Sequence, residues 1–150
     1  MLVKNSLVLP FSIHTKMISN MEKHLPEEAC GLLTGKGNLV RHHFSITNGL
    51  HSPVRFQMNG NEMLRVFEWA EKHSQILLGI YHSHPSGPEN PSIADIAEDY
   101  YPGVIKLIGS KSTGQWELRA FLINNSGYLQ IPIVIKYRWL FQESKFIHQG

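Results

Sequence analysis

The side chains best placed to do chemistry in this sequence are His82 and His84, ending the apolar run Ile76–Tyr81, and Asp95, beyond a proline-rich segment. Side chains alternate along a strand, so His82 and His84 share a face while Ser83 points away. Their Cα atoms then stand about 6–7 Å apart, a separation from which two imidazoles can converge on one metal ion. With nine histidines in 150 residues, roughly half a His-x-His pair arises by chance, so the pair alone carries little. Asp95 adds a third group. Ser92 follows Asn90-Pro91 where a helix should begin, as its N-cap, and Asp95 falls at the third helical position, facing back towards the start of the loop. Two imidazoles and one carboxylate leave a fourth position for water, the pattern of catalytic rather than structural zinc. The same donor set also describes a non-haem iron site. A plainer reading coexists with both: Ser-x-x-Asp resembles a capping box, and an acid in a first turn suits the helix dipole.

These groups need elements to hold them. Ile13, Met17, Met21 and Leu25 form one stripe at helical spacing, which predicts a helix over Pro10–Leu25 that Pro26 ends. Ala29–Leu33 reads as a buried strand closed by Gly35 and Gly37, Leu39–Ile46 as a second strand and Ser52–Met58 as a shorter one. Asn59-Gly60-Asn61 starts a helix that carries Met63, Phe67 and Ala70 at helical spacing, with Leu64 beside them. Ile76–Tyr81 has the length of a central strand. Pro85–Pro91, with three prolines and a glycine, must be loop, and Ser92 to about Tyr100 a short helix. Val104–Gly109, Trp116–Asn124 and Tyr128–Tyr137 read as three closing strands, the last two joined by a turn at 124–127. Strands mixed with three helices predict an α/β (α+β) sheet domain, a single domain over 1–150, since no repeat or linker divides the chain.

Composition agrees with this. Apolar residues make up 42% and charged residues 17% of the chain, as in ordinary globular proteins. A formal charge of +2 is too small for a nucleic-acid surface, although Lys136–Lys145 is locally basic, so no strong nucleic-acid binding is expected. One cysteine, Cys30, permits no internal disulfide and no thiolate zinc knuckle. It suits a reducing compartment and reads best as a small core residue. No stretch approaches the roughly 18 apolar residues of a membrane span, and Leu7-Val8-Leu9-Pro10-Phe11 lacks the features of a signal peptide. The expectation is a soluble, cytoplasmic protein. His42, His43 and the remaining histidines carry no spacing logic.

The combined pattern resembles the JAMM/MPN metalloprotease family, whose motif is an early glutamate, then His-x-His-Pro, six residues and Ser-x-x-Asp. His82, His84, Pro85, Ser92 and Asp95 match the second part in full. Pro26-Glu27-Glu28-Ala29-Cys30-Gly31 is similar to the family's Pro-x-Glu-x-x-Gly ahead of an apolar strand. The resemblance covers roughly Pro10–Tyr137. It implies an MPN/JAB-like mixed, curved sheet flanked by helices, with cytidine-deaminase-like layering. It implies one zinc per chain on His82, His84 and Asp95, with Glu28 as the catalytic glutamate, Glu27 as a solvated neighbour and Ser92 as a hydrogen-bond donor to the oxyanion. Val54, Arg55 and Phe56 lie where family members pair an extended substrate tail with a strand edge. The short spacing from Asp95 to the next strand resembles the compact prokaryotic members, some of which act on the Gly-Gly tail of ubiquitin-like or sulfur-carrier proteins, and makes polyubiquitin an unsuitable substrate. A catalytically inactive MPN scaffold and a nucleic-acid-associated RadC-like protein, the latter through His84-Pro85-Ser86-Gly87, remain as alternatives.

Overall fold

The computed structural model describes residues 5–137, so most of the basic tail expected over Lys136–Lys145 lies outside the described residues. Eleven elements follow in order: β1 (Leu7–Pro10), α1 (Phe11–His24), β2 (Cys30–Lys36), β3 (Leu39–Ile46), α2 (Gly60–Lys72), β4 (Ile76–His84), α3 (Ile93–Ala97), β5 (Ile105–Ser110), β6 (Glu117–Asn124), β7 (Gly127–Ile131) and β8 (Ile133–Lys136). No described helix is long and apolar enough to cross a membrane.

All eight strands form one mixed sheet in the order β7-β6-β5-β4-β2-β3-β1-β8. The expected α+β class with a curved sheet is borne out. The curvature has a local cause. Tyr128–Tyr137, expected as one strand, is two, because Pro132 has no N–H to continue a ladder. On one side of it β7 pairs with β6, and on the other β8 runs parallel to β1 at the opposite end of the sheet. A single residue therefore joins the two ends of the strand order, and the sheet must bend until its margins meet. Leu7 closes the seam by donating its N–H to the Pro132 carbonyl at 3.0 Å. β1 itself was not anticipated. Its two-residue alternation, with Leu7 and Leu9 buried, is too short a signal beside Pro10.

The sheet has two clothed faces. On one, Ile13, Met17 and Met21 of α1 pack with Leu33, Leu78, Tyr81 and Leu107. On the other, Met63 and Val66 of α2 pack with Cys30, Leu32, Ile46 and Ile80. The α1 stripe is the predicted one; in α2, Val66 is buried where Leu64 was expected, and Leu64 is exposed. Along β4, alternation sends Tyr81 and Ser83 to the α1 face and Ile80, His82 and His84 to the α2 face. β4 sits between antiparallel β2 and parallel β5, so its residues are almost all buried.

Ser52–Met58 is not a strand. Asn48 and Met58 form one isolated bridge, and the segment is otherwise irregular. The Asn48 side chain supplies the hydrogen bonds that a strand partner would have made, donating Nδ2 to the Arg55 carbonyl at 3.0 Å and accepting the Gln57 N–H on Oδ1 at 3.1 Å.

At Gly31, in the middle of β2, a Cβ would overlap the Tyr81 ring and stand 2.6 Å from the Phe44 carbonyl oxygen. Gly31→Ala therefore overpacks the centre of the sheet. We expect it to cost about 1–3 kcal/mol, seen as a lower urea midpoint at unchanged m-value. Gly60→Ala, where the added methyl meets nothing within 4 Å, should be neutral or stabilising by up to ~1 kcal/mol.

Candidate active site

The antiparallel pairing of β2 with β4 sets Cys30 opposite His82, and the ladder continues one residue past the end of β2. Ala29 donates its N–H to Ser83 Oγ at 2.8 Å, and Ser83 returns its own N–H to the Ala29 carbonyl at 2.9 Å. This zips Glu28 against the histidine end of β4. The Glu28 backbone is held from the other side as well. Its N–H donates to the Ser52 carbonyl at 2.8 Å, and its carbonyl accepts Asn48 Nδ2 at 3.0 Å. Glu28 is 2% exposed and lies with His82 and His84, one ligand atom of each within 4.8 Å of the others. Glu27 points outward and meets His51 at 3.3 Å.

Asp95 arrives from the other strand end. The chain turns at Gly87, in left-handed backbone with φ of 81°, where glycine avoids a Cβ clash. It then reaches α3, whose first turn is a complete capping box. Ser92 Oγ accepts the Asp95 N–H at 3.1 Å, and Asp95 Oδ2 accepts the Ser92 N–H at 2.7 Å. That box orients the carboxylate towards the histidines, with Oδ1 3.2 Å from His82 Nε2 and Oδ2 3.2 Å from His84 Nε2. The two Nε2 atoms stand 2.9 Å apart. His84 Nδ1 lies 2.7 Å from the Pro88 carbonyl, which can only accept, so Nδ1 carries a proton and Nε2 is the atom turned towards His82 and Asp95. Phe56 stacks on the His82 ring, with centroids 4.3 Å apart.

The electrostatics centre on positive charge. Burial lowers the His82 imidazole's affinity for a proton, and the Asp95 carboxylate only partly opposes this. Burial acts in the same direction on His84, but Asp95, the Pro88 carbonyl and Glu28 together outweigh it and raise its pKa. For Asp95, burial would raise the pKa, and the hydrogen bonds to the two rings override it, holding the carboxyl well below the usual range. Burial pushes Glu28 up to about 7, with His84 opposing and Asp95 reinforcing. The two Nε2 atoms, 2.9 Å apart, thus each face one oxygen of the Asp95 carboxylate at 3.2 Å, Oδ1 for His82 and Oδ2 for His84. Ligand atoms about 2.0–2.1 Å from a tetrahedral ion stand about 3.3–3.4 Å from one another. Both the donor set and its spacing therefore fit a divalent metal.

The sequence-predicted residues are distributed as follows. His82, His84, Asp95 and Glu28 converge, and Ser92 is the N-cap beside them. Of the three residues considered for substrate contact, Phe56 covers His82, Arg55 pairs with Glu98 across the mouth, and Val54 is 78% exposed at a loop tip. Cys30 is buried, with its thiol pushed up to about 12 by burial and by Glu28 and Glu62. His43 is in fact part of the α1 face, 2.7 Å from the Tyr81 hydroxyl. Sequence reasoning missed Asn48 and Ser83, which fix the Glu28–Ala29 backbone. Ser83 was legible only as the residue pointing away from the histidines. Asn48 had no signal beyond lying in a turn-rich stretch.

Comparison with known proteins gives a consistent picture. Residues 10–124 match the family model for prokaryotic homologs of the JAB domain. A protein named desampylase from Pyrococcus furiosus is 33% identical over 111 residues, 73% of this chain and 76% of its own length. A CysO-cysteine peptidase of Mycobacterium tuberculosis is 27% identical over 130 residues, 85% of this chain and 89% of its own length. The solution structure of a Desulfitobacterium hafniense protein superposes with a TM-score of 0.80 at 30% identity, covering 88% of this chain and 94% of that one. The family match alone spans every element from the end of β1 to the end of β6, so this chain belongs to the prokaryotic JAB-domain family.

Proposed function

We propose that this chain is a zinc-dependent hydrolase that cleaves an amide bond at the Gly-Gly tail of a ubiquitin-like or sulfur-carrier protein. The observation that carries the reading is the buried Glu28 carboxylate set beside the His82–His84–Asp95 triangle. His82 Nε2, His84 Nε2 and an Asp95 oxygen would hold one zinc ion. When bound, zinc lowers the pKa of a water towards about 7 and polarises a carbonyl.

The chain's own residues supply the remaining work. Glu28, buried beside the two histidines, accepts the attacking water's proton and delivers it to the leaving amine, the two halves of general acid–base catalysis. Ser92 Oγ accepts the Asp95 N–H, and its own proton would point at a developing oxyanion. His84 is held in one tautomer by the Pro88 carbonyl. Phe56 shields His82 from water on one side, and with Val54 and Arg55 it would border the substrate tail.

The substrate class draws support from the relatives, which are named as a desampylase and a CysO-cysteine peptidase. Only residues 98–104 separate α3 from β5, which leaves little chain there to grip a second bulky protein. The single buried thiol fits a reducing, cytoplasmic setting.

Two measurements test this. Glu28→Gln should keep one zinc per chain by elemental analysis while hydrolysis falls about 10²–10⁴-fold, and Asp95→Asn should lose both. If Glu28→Gln sheds the zinc, Glu28 is a ligand and the assigned roles are wrong. Thermal melts should also respond to the ion. Free zinc at a hundredfold its Kd adds about 2.7 kcal/mol, a rise of roughly 5–10 °C that a chelator reverses. Asp95→Asn should show no such rise.

A further inference from the structure

A cavity of about 530 Å³ opens directly beside the metal-ligand candidates, with His82 and Asp95 on its wall. Its size is that of a ligand-binding pocket, far more than a glycine fills. Leu50, Phe56, Met58, Met63, Ile80 and Ile123 make the lining mostly apolar. The apolar surface continues outward onto the rim, where Leu50 and Tyr100 are exposed, Tyr100 at 79%.

The charged groups lining the cavity already have partners within the chain. Lys106 uses its three N–H donors on Asp99 at 2.8 Å and on the Tyr101 and Val104 carbonyls at 2.7 Å each. Arg55 is paired with Glu98 at the mouth. Asp95 is engaged by both histidines and by the Ser92 N–H. A charged guest would be desolvated without a free counter-charge, at a cost of several kcal/mol, whereas an apolar guest gains from every contact.

We propose that this cavity is a specificity subsite for one bulky, uncharged apolar side chain of the substrate polypeptide, of leucine or phenylalanine size, on the residue that precedes the Gly-Gly tail. The inference rests on the hydrolase reading, because the cavity meets the proposed metal site at His82 and Asp95. It adds that a run of glycines is not by itself a sufficient substrate. A side chain ahead of the two glycines must occupy the space between the 51–58 segment and α2, and the wall formed by Phe56 couples that occupancy to His82.

The methionines make the test direct. Met58 and Met63 line the cavity, while Met17 and Met21 lie in the core of the opposite sheet face. The zinc-loaded protein labelled with ¹³C at the methionine methyls would be titrated by NMR with acetylated, amidated X-Gly-Gly peptides, X being Gly, Leu, Phe, Glu or Lys. We expect the Leu and Phe peptides to shift Met58 and Met63 and leave Met17 and Met21 in place, binding at least about tenfold tighter than the other three. Met58→Trp, which fills the cavity, should remove that preference at an unchanged melting temperature, with Leu50→Trp as the second filling variant should the first destabilise the fold. The inference is overturned if Gly, Glu or Lys peptides bind as tightly as Leu and Phe. It is equally overturned if no peptide moves Met58 and Met63 at millimolar concentration, or if the shifts fall on Met17 and Met21. Zinc content and hydrolysis by the same samples report on the hydrolase separately. Leucine-selective binding without metal or turnover keeps the subsite and sinks the enzyme, and turnover without selectivity does the reverse.

Discussion

The register of β2 on β4 is the constraint on which the rest of this molecule depends. Pairing Cys30 with His82, and extending that pairing through the Ala29–Ser83 exchange of hydrogen bonds, carries Glu28 to the histidines across 54 positions of sequence. A slip of one residue would turn Glu28 away and Glu27 in, because strand side chains alternate. Several features guard against that slip. Gly31 lets Tyr81 and the Phe44 carbonyl close on β2, where a residue with a Cβ would clash. The Ser83 hydroxyl is spent on Ala29, and Asn48 and Ser52 hold Glu28 from the far side.

Once these groups are together, their charges must be compensated. The buried Glu28, His82 and His84 and the partly buried Asp95 would each be costly alone. They are tolerable because Asp95 and both rings are hydrogen-bonded and because the cluster as a whole favours a cation. The same burial that raises Glu28 towards neutrality suits it to moving protons, while Asp95, gripped by two rings and a backbone N–H, stays anionic. Two carboxylates at one site therefore have pKa values displaced in opposite directions because their surroundings differ. The capping box belongs to this division of labour. The structural reading of Ser92 and Asp95 and the chemical one describe the same hydrogen bonds.

The second face of the sheet does unobtrusive work. α1 covers β4 from behind, and the Tyr81 hydroxyl is satisfied by Asn20 at 2.5 Å and His43 at 2.7 Å. That network anchors the strand whose other face carries His82 and His84. The near-closure of the sheet at Pro132 fixes β1 and β8 against α1 and so completes the layer that keeps β4 rigid.

Much of the site was legible in sequence because its parts are local. His82 and His84 share a face by strand alternation, and Ser92 and Asp95 share a helical turn by capping geometry, each within a span that backbone periodicity determines. The α1 stripe and the central strand were readable for the same reason. Glu28 was assignable by motif resemblance alone, since nothing in its neighbourhood says where it will lie. The irregular 51–58 segment, the corner at Pro132 and the apolar cavity could not be read, because they depend on partners distant in sequence. An asparagine satisfies a loop from another element, two sheet margins meet, and side chains from distant parts of the chain line one space. Local sequence determines which way a side chain points along its own element. Only the packing of elements decides what it points at, because burial and hydrogen-bond partners are properties of the assembled sheet.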